Sequence, residues 1–230
     1  MAFQNGWRGP DIVSDGLVLY LDAGAPNSYN SFSGTTWKDM SGFNNSGSLI
    51  NGPTYSSADG GSIVFDGVDD QVPTNYNASG LQTFTAIAWI KTTNIAGYNF
   101  IFSAGSYNSP IIEGWGLNIL GTTLQFDHTN ITNVTTYELP TIYDGVWRQV
   151  GIYRDASNNA GIIINGSLTA SVSYSTSFTN SNFTIGFRPG GVIYNPFYGG
   201  SISNVELYNR GLSPSEVLQN YNAQKSRFGL

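Results

Sequence analysis

Short apolar runs recur along most of the chain, and turn-forming residues close each of them. The runs are rich in β-branched and aromatic residues, which is typical of β-strands. The run 83–93 is apolar on both sets of alternate positions, so it predicts a strand lying between two layers. The predicted strands are 16–24, 61–67, 83–93, 99–105, 114–121, 123–129, 146–155, 160–174, 182–188 and 198–210.

The connections between these runs are short and of the hairpin kind. Asn165-Gly166 and Asp144-Gly145 are dipeptides favoured in two-residue β-turns. Ten to a dozen strands joined in this way, with no linker between them, predict a single all-β sandwich. The stretch 26–60 is rich in Asn, Ser and Gly and predicts a loop, with Trp37 as its anchor.

A helix is predicted once, near the C-terminus. Ser213 fits the N-cap position, Pro214 follows at the first helical position, and Glu216 completes a capping box. Val217, Leu218 and Tyr221 would form the apolar stripe, and the final SRFGL is expected to be an exposed tail.

Composition excludes several classes of function. The net charge is −6, and only nine Lys and Arg residues are scattered along the chain. Nucleic acid and anionic membranes are therefore not expected partners, because both need clustered cationic side chains. The chain has no cysteine, hence no thiol nucleophile and no thiolate metal ligand. MAFQNGWRGPDIV has neither the basic start nor the apolar core of a signal peptide.

Three aspartates, Asp66, Asp69 and Asp70, surround Gly67 directly after a predicted strand. The spacing is not that of an EF-hand calcium loop. A glycosidase pair is also unsuited, because adjacent residues of a strand point to opposite faces. The favoured interpretation is a turn in which Asp66-Gly67 closes the strand and Asp69 hydrogen-bonds the turn backbone. A structural calcium ion at these aspartates is the alternative left open.

Several stretches resemble, in order, the laminin-G-like members of the concanavalin A-like lectin/glucanase superfamily. They are GLVLYLDAG, TTWKDMSGFNNSGSL, GSIVFDGVDDQV, FTAIAWIK, DGVWRQVGIYRD, IIINGSL, FTIG and GSISNVELYNRGLSPSEVLQNYNA. The resemblance implies an all-β, concanavalin A-like jelly-roll sandwich of two antiparallel sheets with a short C-terminal helix. We expect an N-terminal arm over 1–13, the jelly-roll domain over 14–224 and a C-terminal tail over 225–230.

The family's catalytic and metal-binding motifs are missing from this sequence. Glucanases of the superfamily carry Glu-x-Asp-x-x-Glu on one strand, whereas Glu113, Glu138 and Glu206 each stand alone here. The calcium-binding pentraxin branch uses acidic loops where this chain has Asn108 and Arg188. With His128 as the one histidine, we expect no enzyme activity, no catalytic residues, no metal site and no cofactor.

Aromatic and amide side chains suggest a glycan patch instead. The resemblance brings a set of such residues to one rim of the sandwich: Tyr98, Tyr107, Asn108, Trp115, Arg188, Tyr194 and Asn195. Rings can stack on the CH faces of sugars while amides hydrogen-bond the hydroxyls. The competing interpretation is that Trp115 and some of the tyrosines are core or subunit-contact residues.

The two ends carry aromatic residues, Phe3, Trp7 and Phe228, which could dock on a particle or on a neighbouring subunit. The alternative is that they pack back on the sandwich. GPDIVSDGLVLYLDAGAPNSY and NYNAQKSRFGL resemble tailed-bacteriophage structural proteins. We therefore expect a non-enzymatic virion protein, for head decoration or a fibre, that forms homo-oligomers, contacts other virion proteins and can bind a glycan. A soluble or secreted carbohydrate-binding module is the alternative.

Overall fold

A computed structural model describes residues 11–29, 34–94, 96–108, 111–112, 114–128, 134–138, 142–173, 177, 182–190 and 195–230. β-strands dominate it, and one α-helix, α1 (Pro214–Gln224), follows the last strand. The strands are β1 (Leu17–Asp22), β2 (Thr36–Trp37), β3 (Gly47–Ser48), β4 (Thr54–Ser56), β5 (Ser62–Asp66), β6 (Val72–Asn77), β7 (Phe84–Lys91), β8 (Asn99–Ala104), β9 (Tyr107–Asn108), β10 (Ile111–Ile112), β11 (Trp115–Leu120), β12 (Thr123–His128), β13 (Val134–Glu138), β14 (Arg148–Arg154), β15 (Asn159–Ile164), β16 (Ser167–Ser173), β17 (Asn182–Ile185) and β18 (Gly199–Tyr208).

The strands form two antiparallel sheets. The first has the order β16-β15-β14-β7-β18-β5-β4, with β1 also paired to β18. The second has the order β13-β12-β11-β8-β17-β6-β3-β2, and β9 pairs with β10 separately. The predicted fold class, a concanavalin A-like jelly-roll sandwich, is confirmed.

The main core lies between the sheets, and a smaller core lies outside the first sheet. Phe84, Ala86 and Ala88 of β7 belong to the main core. Ile87, from the opposite face of β7, packs with Val217 of α1 in the smaller core. The prediction that this strand lies between two layers is therefore confirmed.

The stretch 26–60 contains more secondary structure than the predicted loop. It includes β2, β3 and β4, which are only two or three residues long and so carry little periodicity. Trp37 is fully buried, as expected of an anchor.

Helix α1 begins as predicted but buries a different stripe. Ser213 is the N-cap, and the capping box with Glu216 is present. Leu218 is 48% exposed, whereas the polar Asn220 and Gln224 are buried with Val217. Polar residues occupy this stripe because β18 presents a buried carboxyl group, that of Glu206, which accepts hydrogen bonds from both. None of the helices in the described part of the chain is long and apolar enough to span a membrane.

The predicted exposed C-terminal tail is only partly exposed: Ser226, Gly229 and Leu230 are exposed, whereas Arg227 and Phe228 pack on the domain. Residues Lys225–Phe228 form a 3-10 helix, and the Phe228 ring stacks on Trp89 with 4.3 Å between centroids. Arg227 Nη1 donates to Asp22 Oδ1 at 2.6 Å. Phe228 is therefore occupied within its own domain, and the alternative of packing back on the sandwich is correct for it.

At the other end, the last residues of the predicted arm contact the helix. The Val13 backbone N–H donates to Asn220 Oδ1 at 2.8 Å, and Gln219 Nε2 donates to the Asp11 carbonyl at 2.8 Å. Phe3 and Trp7 lie outside the described residues.

Candidate functional site

The acidic turn joins β5 to β6, and so connects the two sheets. Asp66 Oδ1 accepts the backbone N–H of Val68 at 2.8 Å and that of Asp69 at 3.4 Å, while Gly67 adopts a φ of 78°. Asp66-Gly67 therefore closes the strand as predicted. The prediction for Asp69 is wrong: the turn amides of Val68 and Asp69 donate to Asp66 Oδ1 instead, and Asp69 is exposed.

Asp70 is the buried member of this turn. Its side chain is 3% exposed, and its Oδ2 accepts the Asp66 backbone N–H at 2.9 Å. Burial raises the pKa of Asp70, and the carboxylates of Asp66 and Asp69 raise it further, against the lowering effect of that N–H. Ligand oxygens of the three aspartates lie within 4.8 Å of one another, so among the described residues this turn could hold a metal ion.

Two residues of the predicted glycan patch meet at the surface. The Tyr98 backbone N–H donates to the Asn195 carbonyl at 3.1 Å, and both residues are half-buried. Asn195 has a φ of 50°, a left-handed conformation that asparagine tolerates. Tyr107 and Asn108 form β9, opposite Ile111 and Ile112, and Tyr194 lies outside the described residues.

Trp115 is a core residue, which corrects its assignment to the patch. It is fully buried, and its ring stacks on Phe84 at 4.1 Å. Leu117 and Ile119, two and four residues further along β11, face the same core. The alternation of the strand thus places Trp115 inside.

Arg188 is also buried and does not present its charge at the rim. Its guanidinium lies over the Phe100 ring at 5.4 Å, and Nη1 is 3.8 Å from Asp127 Oδ2. Burial raises the pKa of Asp127 to about 6, although Arg188 and Asn118 act to lower it. The glycine at 116 makes room for the Phe100 ring, because a Cβ there would lie 3.0 Å from Phe100 Cε1.

Sequence reasoning missed two phenylalanines beside Tyr98 and Asn195. Phe187 and Phe197 are half-buried, and their rings stack at 4.6 Å with an interplanar angle of 13°. Phe197 follows Asn195 by two positions, so the aromatic pair and the Tyr98–Asn195 contact belong to one end of the sandwich. We call Tyr98, Phe187, Asn195 and Phe197 the aromatic rim. The aromatic residues that open and close the stretch 187–197 were the available signal.

A groove of about 490 Å³ lies at the start of α1, between Tyr153, Leu168 and Arg210. Its charged groups already have hydrogen-bond partners within the protein. Arg210 Nη2 donates to Glu216 Oε1 at 2.6 Å, and Asp155 Oδ1 accepts two backbone amides of its own turn. This groove therefore offers a ligand few uncommitted polar groups.

The isolated glutamates and the histidine, where the structure describes them, are packed inside the protein. Glu206 is fully buried below α1, where Gln224, Asn220 and Tyr208 surround its carboxyl group. His128 is buried, and burial lowers its pKa to about 4, as does the nearby charge of Arg154. Glu113 lies outside the described residues.

Comparison with known proteins agrees with this geometry. The Laminin_G_3 model, of the concanavalin A-like lectin/glucanases superfamily, matches residues 65–218, and the chain belongs to this family. No curated protein matches the sequence.

Solved structures with a similar fold include the binding domain of Paraclostridial Mosquitocidal Protein 1 (TM-score 0.68, 18% identity, covering 91% of this chain and 52% of that one). Another is botulinum neurotoxin type C, whose cell entry is dependent upon interaction with two ganglioside molecules (TM-score 0.71, 17% identity, covering 92% of this chain and 52% of that one). A third is Trypanosoma rangeli sialidase in complex with sialic acid (TM-score 0.65, 19% identity, covering 92% of this chain and 33% of that one). The chain spans about half of the first two structures and a third of the sialidase. At these identities the likeness shows the fold.

Proposed function

We propose that this chain is a non-enzymatic, lectin-like domain that binds a glycan at the aromatic rim. The observation that carries the proposal is the stacked Phe187–Phe197 pair beside Tyr98 and Asn195. Half-exposed ring faces attract the polarised CH groups of a sugar. The Asn195 amide can both donate and accept hydrogen bonds, as sugar hydroxyls require. The family and the glycan-linked structural neighbours support the same class of ligand.

The non-enzymatic part of the proposal rests on the surroundings of the candidate acids. Glycoside hydrolysis needs two carboxyl groups about 5 to 9 Å apart across the substrate. Asp127 lies beside the Arg188 guanidinium. Among the described groups, the charge that shifts the Asp127 pKa is this cation and not a second carboxylate. Glu206 lies under α1, where a substrate has no access. Neither acid is set up as half of a catalytic pair.

We further propose that the domain is displayed on a bacteriophage particle, as a head decoration or as part of a fibre. The support is the resemblance of the two terminal stretches to phage structural proteins. These stretches meet in the fold, where Asp11 and Val13 hydrogen-bond Gln219 and Asn220 of α1. Symmetric display of many copies would strengthen individually weak glycan contacts.

Glycan binding is tested with immobilised oligosaccharides and the purified chain. Tyr98→Leu and Phe197→Leu remove one ring each, and Asn195→Gly removes the amide while keeping a residue that tolerates positive φ. Each variant is expected to lose about tenfold or more in affinity. Phe43→Ala is the matched control, because Phe43 is 64% exposed and lies outside the rim. Retained affinity in all three rim variants would refute the site.

The particle assignment is tested separately, by immunogold electron microscopy of phage from the source culture. Regular label on heads or fibres would establish the virion role and its position. Label missing from intact particles, with the protein free in the lysate, would favour the carbohydrate-binding module instead.

A further inference from the structure

The sequence Ile-Asn-Gly occurs twice in the described part of the chain, at 50–52 and at 164–166, and its surroundings differ between the two places. An asparagine followed by glycine can lose its side-chain amide, because the glycine nitrogen attacks the asparagine Cγ and no Cβ hinders its approach. Ammonia leaves, a five-membered succinimide forms, and water opens the ring to aspartate or isoaspartate. The reaction requires that the glycine nitrogen can turn towards Cγ and that a base removes its proton.

The second dipeptide, Asn165-Gly166, is held by hydrogen bonds on both residues. Asn165 Oδ1 accepts the Gln149 backbone N–H at 3.1 Å, and the Gly166 N–H donates to Gln149 Oε1 at 3.0 Å. On its other side Gly166 is crowded, since a Cβ there would lie 2.8 Å from Tyr221 Cβ. The Gly166 nitrogen is therefore engaged with a glutamine and has little space in which to turn towards Asn165.

The first dipeptide, Asn51-Gly52, is exposed and lies alongside the acidic turn. Its two residues have φ of 69° and 116°, and both are exposed. Asn51 Nδ2 donates to the Asp69 carbonyl at 2.9 Å, which holds the dipeptide next to Asp70. Among the described atoms, the nearest to a Cβ built on Gly52 is Asp70 Oδ1, at 4.0 Å. Gly52 therefore has room to turn, and a carboxylate oxygen lies beside it.

Asp70 is suited to accept the Gly52 proton. Its side chain is 3% exposed; Oδ2 accepts the Asp66 N–H, whereas Oδ1 receives no hydrogen bond from the described residues. Burial raises the pKa of Asp70, and the neighbouring carboxylates raise it further, which makes the group a stronger base. A base removes a proton that it reaches directly or through one water molecule.

We propose that Asn51 is a site of spontaneous deamidation with Asp70 as the general base, and that the fold protects Asn165. Asp70 takes the Gly52 proton as the Gly52 nitrogen bonds to Asn51 Cγ, and it passes this proton to the amide nitrogen, which leaves as ammonia. One water molecule then opens the succinimide.

The modification changes the contacts and the charge of this corner. The product carboxylate cannot donate to the Asp69 carbonyl as Asn51 Nδ2 does, and it adds a negative charge beside Asp66, Asp69 and Asp70. The inference is independent of the glycan proposal, since its test uses no glycan.

The test follows the two asparagines in the folded, unmodified protein by peptide mapping with mass spectrometry during storage at neutral pH. Isoaspartate is detected separately by enzymatic methylation. Asn51 should convert about tenfold or more faster than Asn165. In denaturant, where neither turn exists, the two rates should become similar. No conversion at Asn51, equal rates in the folded protein, or a difference that persists in denaturant would overturn the proposal.

The role of Asp70 is tested by substitution. Asp70→Asn should slow the conversion of Asn51 by about tenfold or more and leave that of Asn165 unchanged. Asp69→Asn is the matched control, because it removes an exposed charge of the same turn and keeps the carbonyl that binds Asn51. It should change the rate little. Equal slowing in the two variants would overturn the assignment of Asp70 as the base. The comparison of Asn51 with Asn165 in the unmodified protein does not depend on the folding of either variant.

Discussion

The carboxyl group of Glu206 and the hydroxyl of Tyr208, two residues apart on β18, lie 3.0 Å from each other beneath α1. The same hydroxyl lies 3.0 Å from the Val13 carbonyl. A hydroxyl has one proton, so it can donate to only one of these oxygens at a time. Protonation of Glu206 frees Tyr208 to bond Val13. The charge on Glu206 is therefore coupled to the attachment of the N-terminal segment.

The first prediction concerns the pH dependence of stability. Burial raises the pKa of Glu206 to about 7, although hydrogen bonds from Gln224, Tyr208 and Asn220 act to lower it. Since the folded pKa exceeds that of the unfolded chain, the stabilising contribution is complete below about pH 4.5 and is lost as the pH rises through 7. Relative to Glu206→Gln, the unmodified protein should lose up to about 3 kcal/mol of unfolding free energy between pH 4.5 and pH 8.

Chemical denaturation of both proteins across this range measures the difference. The titrations of Asp127 and His128 are common to the two proteins, so they cancel in the difference between the two unfolding free energies. Parallel pH profiles would show that Glu206 does not titrate in this interval.

The second prediction concerns the aromatic stack at the C-terminus. Phe228 covers Trp89 and also packs on Trp147 at 4.8 Å. Phe228→Ala should lower the unfolding free energy by about 1 to 3 kcal/mol, less than for a fully buried ring. Tryptophan emission should also shift to longer wavelength as water reaches the indoles. Leu230→Ala, at a position 46% exposed, should change neither. A free tail would leave emission and stability unchanged in both variants.

The third prediction tests the layer of Gly116, Phe100 and Arg188. A methyl group at 116 would press on the Phe100 ring, so Gly116→Ala should cost about 1 to 3 kcal/mol. In a Phe100→Leu background the smaller side chain should relieve that pressure. A double-mutant cycle measures the coupling, which should be at least about 0.5 kcal/mol. An additive cycle would mean that the methyl group disturbs something else.

The fourth prediction concerns the start of α1. Glu216 Oε2 accepts the Ser213 N–H at 2.8 Å, and the hydrogen bond from Arg210 is the main cause that lowers the Glu216 pKa to about 2. Ser213→Ala should destabilise the protein by about 1 kcal/mol.

The Glu216 contribution to stability is present above about pH 4.5 and is lost as the pH falls towards 2, so Glu216→Gln should flatten the acid limb of the stability profile. Leu218→Ala, at an exposed position of the same helix, should leave that limb as it is.

Local signals were sufficient to predict most strands of a sandwich, whereas the jelly-roll class came from the family resemblance. Apolar residues on both sets of alternate positions in β7 predicted its two buried faces. Asn165-Gly166 predicted the β15–β16 hairpin, where the two residues have φ of 46° and 80°. The capping box at Ser213 is similarly complete within four residues. These features depend on neighbours in sequence, so the sequence carries them in full.

The site depended on neighbours that are distant in sequence. Nothing local to Arg188 shows that Phe100 and Asp127 enclose it. The pairing of Phe187 with Phe197 arises from the path of a connection, not from a strand period. Trp115 is different, because its parity with Leu117 and Ile119 could have placed it in the core. SRFGL has no periodicity, so the sequence does not show that the Phe228 ring covers Trp89.

The position of β18 in the first sheet has a consequence for the order of folding. This strand follows β1, β5 and β7 in sequence, yet it lies between β7 on one side and β1 and β5 on the other. Until residues 199–208 have left the ribosome, β5 and β7 have no shared neighbour and the sheet is split into two pieces with open edges. Closure of the first sheet must therefore await synthesis of β18, and until then the edges of β5 and β7 that it covers are open to other strands.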